Sequence, residues 1–74
     1  MSDLATDLLN NIRNEFDNRI NEGKTPEQAV AFSKNIFITK YKYDPNTLDE
    51  LLSELHEYGY IQKWITGDFA LKID

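Results

Sequence analysis

Residues 44–74 read DPNTLDELLSELHEYGYIQKWITGDFALKID, and this stretch decides the fold. Its first half predicts a helix, because leucines recur at intervals of three and four residues with acidic side chains between them. Gly59 is predicted to end the helix, since glycine readily adopts the left-handed conformation found there. Residues 60–65 and 69–73 alternate apolar and polar side chains, and the Thr-Gly-Asp turn between them predicts a β-hairpin.

The predicted helix has an apolar stripe and an acidic face. It begins at Asp44-Pro45 or at Thr47, and both positions carry capping signals. The stripe consists of Leu48, Leu51, Leu52, Leu55 and Tyr58. The opposite face consists of Asp49, Glu50, Ser53, Glu54 and Glu57. The spacing therefore predicts a helix with one buried side.

The hairpin is predicted to bury one face of each strand. Ile61 and Ile65 are expected to point inward, which places Tyr60 and Trp64 on the outside. Exposed aromatic side chains are enriched at protein interfaces. The alternative is that Trp64 folds back onto the first helix as part of the core, and the sequence does not separate the two.

Residues 3–22 predict a long amphipathic helix. Ser2 is the expected N-cap, and Gly23 stands where the helix should stop. An apolar side chain recurs every four positions, at Leu4, Leu8, Ile12, Phe16 and Ile20. The opposite face is rich in asparagine, so packing must supply most of the stability.

The middle of the chain begins with Thr25-Pro26-Glu27-Gln28, an N-cap, a proline in the first turn and a capping-box glutamine. A second helix is predicted from there to about residue 37. Residues 35–43, NIFITKYKY, are ambiguous, because isoleucine, threonine and aromatics also favour a strand. They are predicted to be a frayed last helical turn or a short strand.

Three helices followed by a hairpin give an α+β fold, in one domain of residues 1–74. The order, with Leu55-x-x-x-Gly59-Tyr60-Ile61 leading into the hairpin, resembles the winged-helix superfamily, chiefly over residues 44–73. In that family a small strand usually lies between the first two helices. No such strand is predicted here, because residues 23–25 are too few to hold one.

The resemblance implies DNA binding through the exposed face of the third helix and through basic residues on the wing. Residues 44–58, however, carry five acidic groups and no basic group, in a chain of net charge −5. Carboxylates repel phosphates, and the wing tip carries Asp68 rather than a basic residue. The charge therefore favours a protein partner of basic character, and a DNA-binding regulator acting as a dimer is the alternative. The predicted contact residues are Asp49, Glu50, Glu54, Glu57, Tyr60 and Trp64.

A second pattern supports the nucleic-acid alternative. Lysines interleave with aromatics in the middle of the chain, and single-strand binding uses such a combination for phosphate contact and base stacking. The residues concerned are Lys34, Lys40, Tyr41 and Lys42. Three lysines are few, and a solvated edge explains them equally simply.

Catalysis, metal binding and cofactor binding are not predicted. The chain has no cysteine and no nucleophile motif, and His56 is its single histidine. No apolar run is long enough for a membrane span, so a cytoplasmic protein is expected. Frequent Asn and Ile indicate a bacterial or phage genome. The small core motivates a further expectation, that a partner or a second copy stabilises the chain.

Overall fold

The structure is a computed structural model that describes residues 1–73. Within that range the chain forms four helices and a three-stranded antiparallel sheet, an α+β arrangement. The helices are α1 Asp3–Asn21, α2 Pro26–Ala29, α3 Lys34–Thr39 and α4 Pro45–Glu57. The strands are β1 Ala31–Phe32, β2 Ile61–Lys63 and β3 Phe69–Leu71, in the sheet order β1-β3-β2.

Helix α1 forms as its spacing predicts. The Ser2 hydroxyl accepts from the Ala5 N–H at 3.1 Å, and Gly23 follows the helix with a φ of +95°. The residues of α1 that lie in the core are Ala5, Leu8, Leu9 and Ile12. Leu4 is 60% exposed, so the apolar stripe begins one turn later than the sequence predicts.

The prediction of one helix from residue 25 to 37 is wrong. The Thr25 capping box forms, but α2 is a single turn, and the chain then enters β1. Phe32 pairs with Phe69 across the sheet, and their rings stack at 5.7 Å. Ser33 caps the next helix by accepting from the Asn35 N–H. Long-range pairing with β3 therefore overrides the local helical pattern.

No strand lies in residues 23–25; β1 lies between α2 and α3, within the segment predicted to be the second helix. Residues 35–39 are helical and not a strand. The chain turns after Lys40, and Lys42 adopts a left-handed φ of 63°. The turn closes with a hydrogen bond from the Tyr43 N–H to the Phe37 carbonyl at 3.0 Å.

Helix α4 begins at Asp44-Pro45, the first of the two predicted starts. An Asp44 carboxylate oxygen accepts from the Thr47 N–H at 3.1 Å. The leucines of the stripe are buried: Leu48, Leu51, Leu52 and Leu55. Tyr58 does not join them, because it is the C-cap and 58% of it is exposed.

The hairpin forms with shorter strands than predicted. The Trp64 N–H donates to the Asp68 carbonyl and the Gly67 N–H donates to the Trp64 carbonyl, each at 3.0 Å. Gly67 has a φ of +90°, as in a three-residue loop that ends with a left-handed residue. Ile65 lies in this loop and is fully exposed, so the expectation that it points inward is wrong.

The core lies between the helices and the inner face of the sheet. Phe32, Phe37 and Phe69 meet at its centre with ring centroids 5.7–5.9 Å apart. The Arg19 guanidinium lies 4.3 Å over Phe32 and donates to the Ala31 carbonyl at 2.5 Å. Arg19 thereby covers the open edge of β1, a position where an exposed strand would invite pairing.

Candidate interaction surface

The outer face of α4 carries the acidic side chains that the sequence singles out, and Asp49 forms an ion pair within the fold. Its carboxylate accepts from Lys34 at 2.7 Å, and both side chains are partly exposed. The Lys34 side chain also lies against the hairpin loop, where a Cβ added to Gly67 would meet its Cε at 3.3 Å. Asp49 is therefore neutralised within the fold, and Lys34 joins α3, α4 and the loop.

Glu54 is also engaged within the fold. Its carboxylate accepts from the Ser2 backbone N–H at 2.6 Å and from the Ser2 hydroxyl at 3.1 Å. These bonds fasten the beginning of α1 to the second half of α4. Glu54 therefore has a structural partner, which the sequence could not reveal because the two residues are 52 positions apart.

Glu50 and Glu57 remain as the outward carboxylates of α4. Both are exposed, and neither makes a hydrogen bond or an ion pair to another residue in the range 1–73. Ser53 lies between them on the helix and accepts from Lys63 at 3.0 Å. The two glutamates are seven positions apart, which places them two turns apart on one side of the helix. They can receive two cationic side chains from one partner segment.

Tyr60 and Trp64 lie on a different surface. Ile61 is buried and Lys63 reaches α4, so alternation places Tyr60, Gln62 and Trp64 on the outer face of the sheet. Trp64 is 43% exposed, so it lies on the outside and does not fold back onto the first helix as part of the core. The structure therefore does not bring the aromatic pair together with the acidic face of α4.

Glu15 joins two residues of the nucleic-acid alternative in a cluster that sequence reasoning missed. Its buried carboxylate accepts from Lys40 at 2.6 Å and from Tyr41 at 2.8 Å. Burial raises the pKa of Glu15, but these two hydrogen bonds outweigh burial and hold its pKa below the ordinary value. The bond to Glu15 raises the pKa of Lys40, while burial and the same carboxylate raise that of Tyr41.

The cluster fastens the turn between α3 and α4 onto α1. Tyr41 also stacks on Phe37 at 5.4 Å, and Tyr43 accepts from Asn11 at 2.8 Å. Three of the residues proposed for nucleic-acid contact, Lys34, Lys40 and Tyr41, thus make internal bonds. Lys42 is exposed and makes none within residues 1–73. The sequence signal for this cluster is an acidic residue, Glu15, on the apolar side of α1, three positions after Ile12.

His56 is exposed, and its Nδ1 lies 3.2 Å from the Ile61 carbonyl. A carbonyl oxygen only accepts, so this contact is a hydrogen bond in the tautomer with the proton on Nδ1. Among residues 1–73 no group of three or more histidine, aspartate and glutamate side chains could hold a metal ion. None of the helices described is at once long and apolar enough to cross a membrane. The compartment stays a prediction.

The outer face of the sheet also carries a groove of about 440 Å³, which sequence reasoning missed. Apolar groups of Pro26, Val30, Ala70 and Ile73 line much of it. Alternation along β3 could have indicated the outward position of Ala70. The position of Val30 could not be read from the sequence, because it depends on the break between α2 and β1.

Comparison with known proteins adds no relative. No family model, no curated protein and no solved structure matches this chain. Function is therefore argued from the surfaces that the fold presents.

Proposed function

We propose that the chain is a small non-catalytic interaction module on a winged-helix-like scaffold, and that it regulates a protein partner of basic character. The observation that carries this proposal is the pair of exposed carboxylates on α4, Glu50 and Glu57, which have no partner within residues 1–73. Partner lysines or arginines would pair with them, and Tyr60 and Trp64 provide a second contact surface on the hairpin.

The order of the elements supports the winged-helix part of the proposal. Helices α1 and α2 are followed by β1, helices α3 and α4 and a hairpin, and β1 pairs with β3 of that hairpin. The family usually has a small strand early in the chain, and β1 resembles it, although β1 follows α2. The buried residues form a core shared by helices and strands, which supports a single domain. On this reading α4 occupies the position of the helix that reads DNA in the family.

Charge supports protein rather than DNA as the partner of α4. Two unit charges at 4 Å interact by about 1 kcal/mol in bulk water and by about 4 kcal/mol near a protein surface. Glu50 and Glu57 would therefore repel phosphates in a groove. The lysines on this face do not reverse the sign, since Lys34 is paired with Asp49 and the single charge of Lys63, which bonds Ser53, faces two free carboxylates. Affinity for DNA depends on neutralising phosphates with positive charges, and this face carries mainly negative charges.

Capture of partners from a lysate of the source cells tests the proposal. The test variant is Glu50→Lys/Glu57→Lys, and the control is Asp17→Lys/Glu22→Lys on the exposed side of α1. Each reversal adds two charges, so both double variants change the formal net charge from −5 to −1. The native chain and the control should retain the same basic protein, and the test variant should lose it. Equal retention by the native chain and both variants would show that α4 is not the contact surface.

The DNA-binding regulator remains the second candidate, because the element order resembles that of DNA-binding winged-helix domains. In that case Lys42 and the neighbouring Lys34, Lys40 and Tyr41 would supply the contacts. Binding to duplex DNA should then fall steeply as salt is raised. Substitution of Lys42 by alanine should reduce both the affinity and the salt slope.

A further inference from the structure

The outer face of the β2–β3 hairpin is built from three cross-strand pairs. Gln62 is the register partner of Ala70. On one side of this pair, the Lys72 N–H donates to the Tyr60 carbonyl at 3.0 Å; on the other, the Trp64 N–H donates to the Asp68 carbonyl at 3.0 Å. The three pairs are therefore Tyr60–Lys72, Gln62–Ala70 and Trp64–Asp68.

One corner of this face is partly covered, because the Arg13 guanidinium lies 5.6 Å from the centroid of the Tyr60 ring, and the rest carries exposed side chains. Ile61, Phe69 and Leu71 point into the core, so the alternate side chains point away from it. Tyr60 is 36% and Trp64 is 43% exposed. The loop beyond Trp64 is held by the bond from the Gly67 N–H and by the Lys34 side chain, which Asp49 fixes at 2.7 Å. Trp64 is thus presented on a fixed backbone.

The arrangement of the three pairs is complementary to itself. A two-fold axis parallel to the sheet, running across the strands above the central Gln62–Ala70 pair, would place Lys72 of one copy opposite Asp68 of the other. The same rotation would place Tyr60 opposite Trp64. The centre holds only a small and a neutral side chain, so like charges do not meet there. Opposite charges and aromatic pairs at such positions are favourable.

We propose that a second copy of this chain covers this face, with the hairpins packed outer face to outer face about a two-fold axis. Trp64 of each copy then packs against Tyr60 of the other, while Ala70 of one copy lies opposite Ala70 of the other at the centre. The inference deepens the proposed function and rests on it, since it assigns a partner to the second contact surface, which Tyr60 and Trp64 form on the hairpin. It leaves the acidic face of α4 exposed on both copies.

The dimer is expected to be weak. A standard stable interface takes about 800 Å² from each partner, and the whole chain exposes 4787 Å². A face of three side-chain pairs supplies only part of that area. Sheets packed face to face lie about 10 Å apart, and the small Ala70 side chain permits this approach at the centre. A dissociation constant on the order of micromolar is expected.

Sedimentation equilibrium with charge-swapped variants tests the proposal. Lys72→Asp and Asp68→Lys should each weaken the dimer by at least about tenfold, because each opposes like charges twice in the dimer. The double variant should recover an affinity within about threefold of the native one. Leu4→Ser, which alters an exposed apolar residue on α1, is the control and should leave the affinity unchanged.

The only tryptophan gives a second measurement. Trp64 is 43% exposed in one copy, so iodide should quench its fluorescence at low protein concentration and quench it less as the dimer forms. A chain that stays monomeric at concentrations far above micromolar would overturn the inference. The inference would also be overturned if the double variant lost as much dimer affinity as the two single reversals together. Either result would leave the capture test of Glu50 and Glu57 unaffected, so the two proposals fail separately.

Discussion

Replacement of Glu15 by glutamine tests the internal contact that positions the turn before α4. Glu15 is a buried carboxylate that accepts from Lys40 at 2.6 Å and from Tyr41 at 2.8 Å. Glutamine keeps the shape and one acceptor oxygen but removes the charge. The substitution therefore isolates the electrostatic part of these two hydrogen bonds from the packing of the side chain.

The expected loss follows from the two bonds. A hydrogen bond to a charged group contributes about 1 kcal/mol more than a neutral one. The bond to Tyr41 should lose that amount, whereas the Lys40 side chain is 58% exposed and its contribution is screened by solvent. Weakening of the two hydrogen bonds together predicts a loss of about 1–2 kcal/mol in the free energy of unfolding. For a domain of this size the melting temperature should fall by about 4–16 °C.

The loss should depend on pH in a direction that the pKa of Glu15 determines. Its pKa in the fold lies below the ordinary value of 4.5. Its ionised form therefore stabilises the native chain above pH 4.5, and this contribution is lost as pH falls through the folded pKa. The difference between the native chain and Glu15→Gln should be largest near neutral pH and should shrink in acid.

Thermal unfolding followed by circular dichroism, at neutral pH and at several acidic values, measures both effects. Asp17→Asn is the matched control, because Asp17 is an exposed acid on the same helix with no recorded hydrogen bond or ion pair within residues 1–73. The control should change the melting temperature little. A Glu15→Gln variant as stable as the native chain at neutral pH, or a difference that grows in acid, would refute the reasoning.

Three further substitutions test other contacts. Glu54→Gln should lower the free energy of unfolding by no more than about 1 kcal/mol, measured by calorimetry, because its bonds to Ser2 are exposed. Partner capture should persist in this variant, and its loss would place Glu54 in the contact surface. Gly59→Ala should cost about 1–2 kcal/mol in chemical denaturation, since φ is +83° and an added Cβ meets nothing within 4 Å; an unchanged midpoint would contradict this. Phe37→Ala removes a fully buried ring and should lower the free energy of unfolding by about 3–5 kcal/mol, out of a total of about 4–11 kcal/mol. The near-UV circular dichroism signal of the variant should therefore be lost. A cooperative melt at a temperature close to that of the native chain would count against the core described.

Local patterns in the sequence predicted α1, α4 and the hairpin well, because each has its own caps and periodicity. Ser2, Asp44 and Gly59 act at the ends of helices as their chemistry indicates. The segment from Thr25 to Phe37 could not be predicted in this way. Its split depends on Phe32 pairing with Phe69, and that pairing joins residues far apart in the chain.

The candidate site was predicted by residue type but not by arrangement. The sequence identifies the acids of α4, yet it cannot show that Asp49 bonds Lys34 and that Glu54 bonds Ser2. Of the predicted contact acids of α4, Glu50 and Glu57 are the two whose side chains make no bond within residues 1–73. Contacts between distant segments decide which acidic side chains are paired within the fold, and the periodicity of a single helix carries no information about such contacts.

The measurement that tests the central proposal most directly compares two labelled probes by fluorescence anisotropy at low ionic strength. One probe is a lysine-rich and arginine-rich peptide, and the other is a duplex DNA of mixed sequence. The proposal predicts that the native chain and Asp17→Lys/Glu22→Lys bind the peptide, that Glu50→Lys/Glu57→Lys does not, and that the native chain leaves the duplex free. Binding of the native chain to the duplex with a steep salt dependence, and equal peptide binding by both double variants, would contradict it.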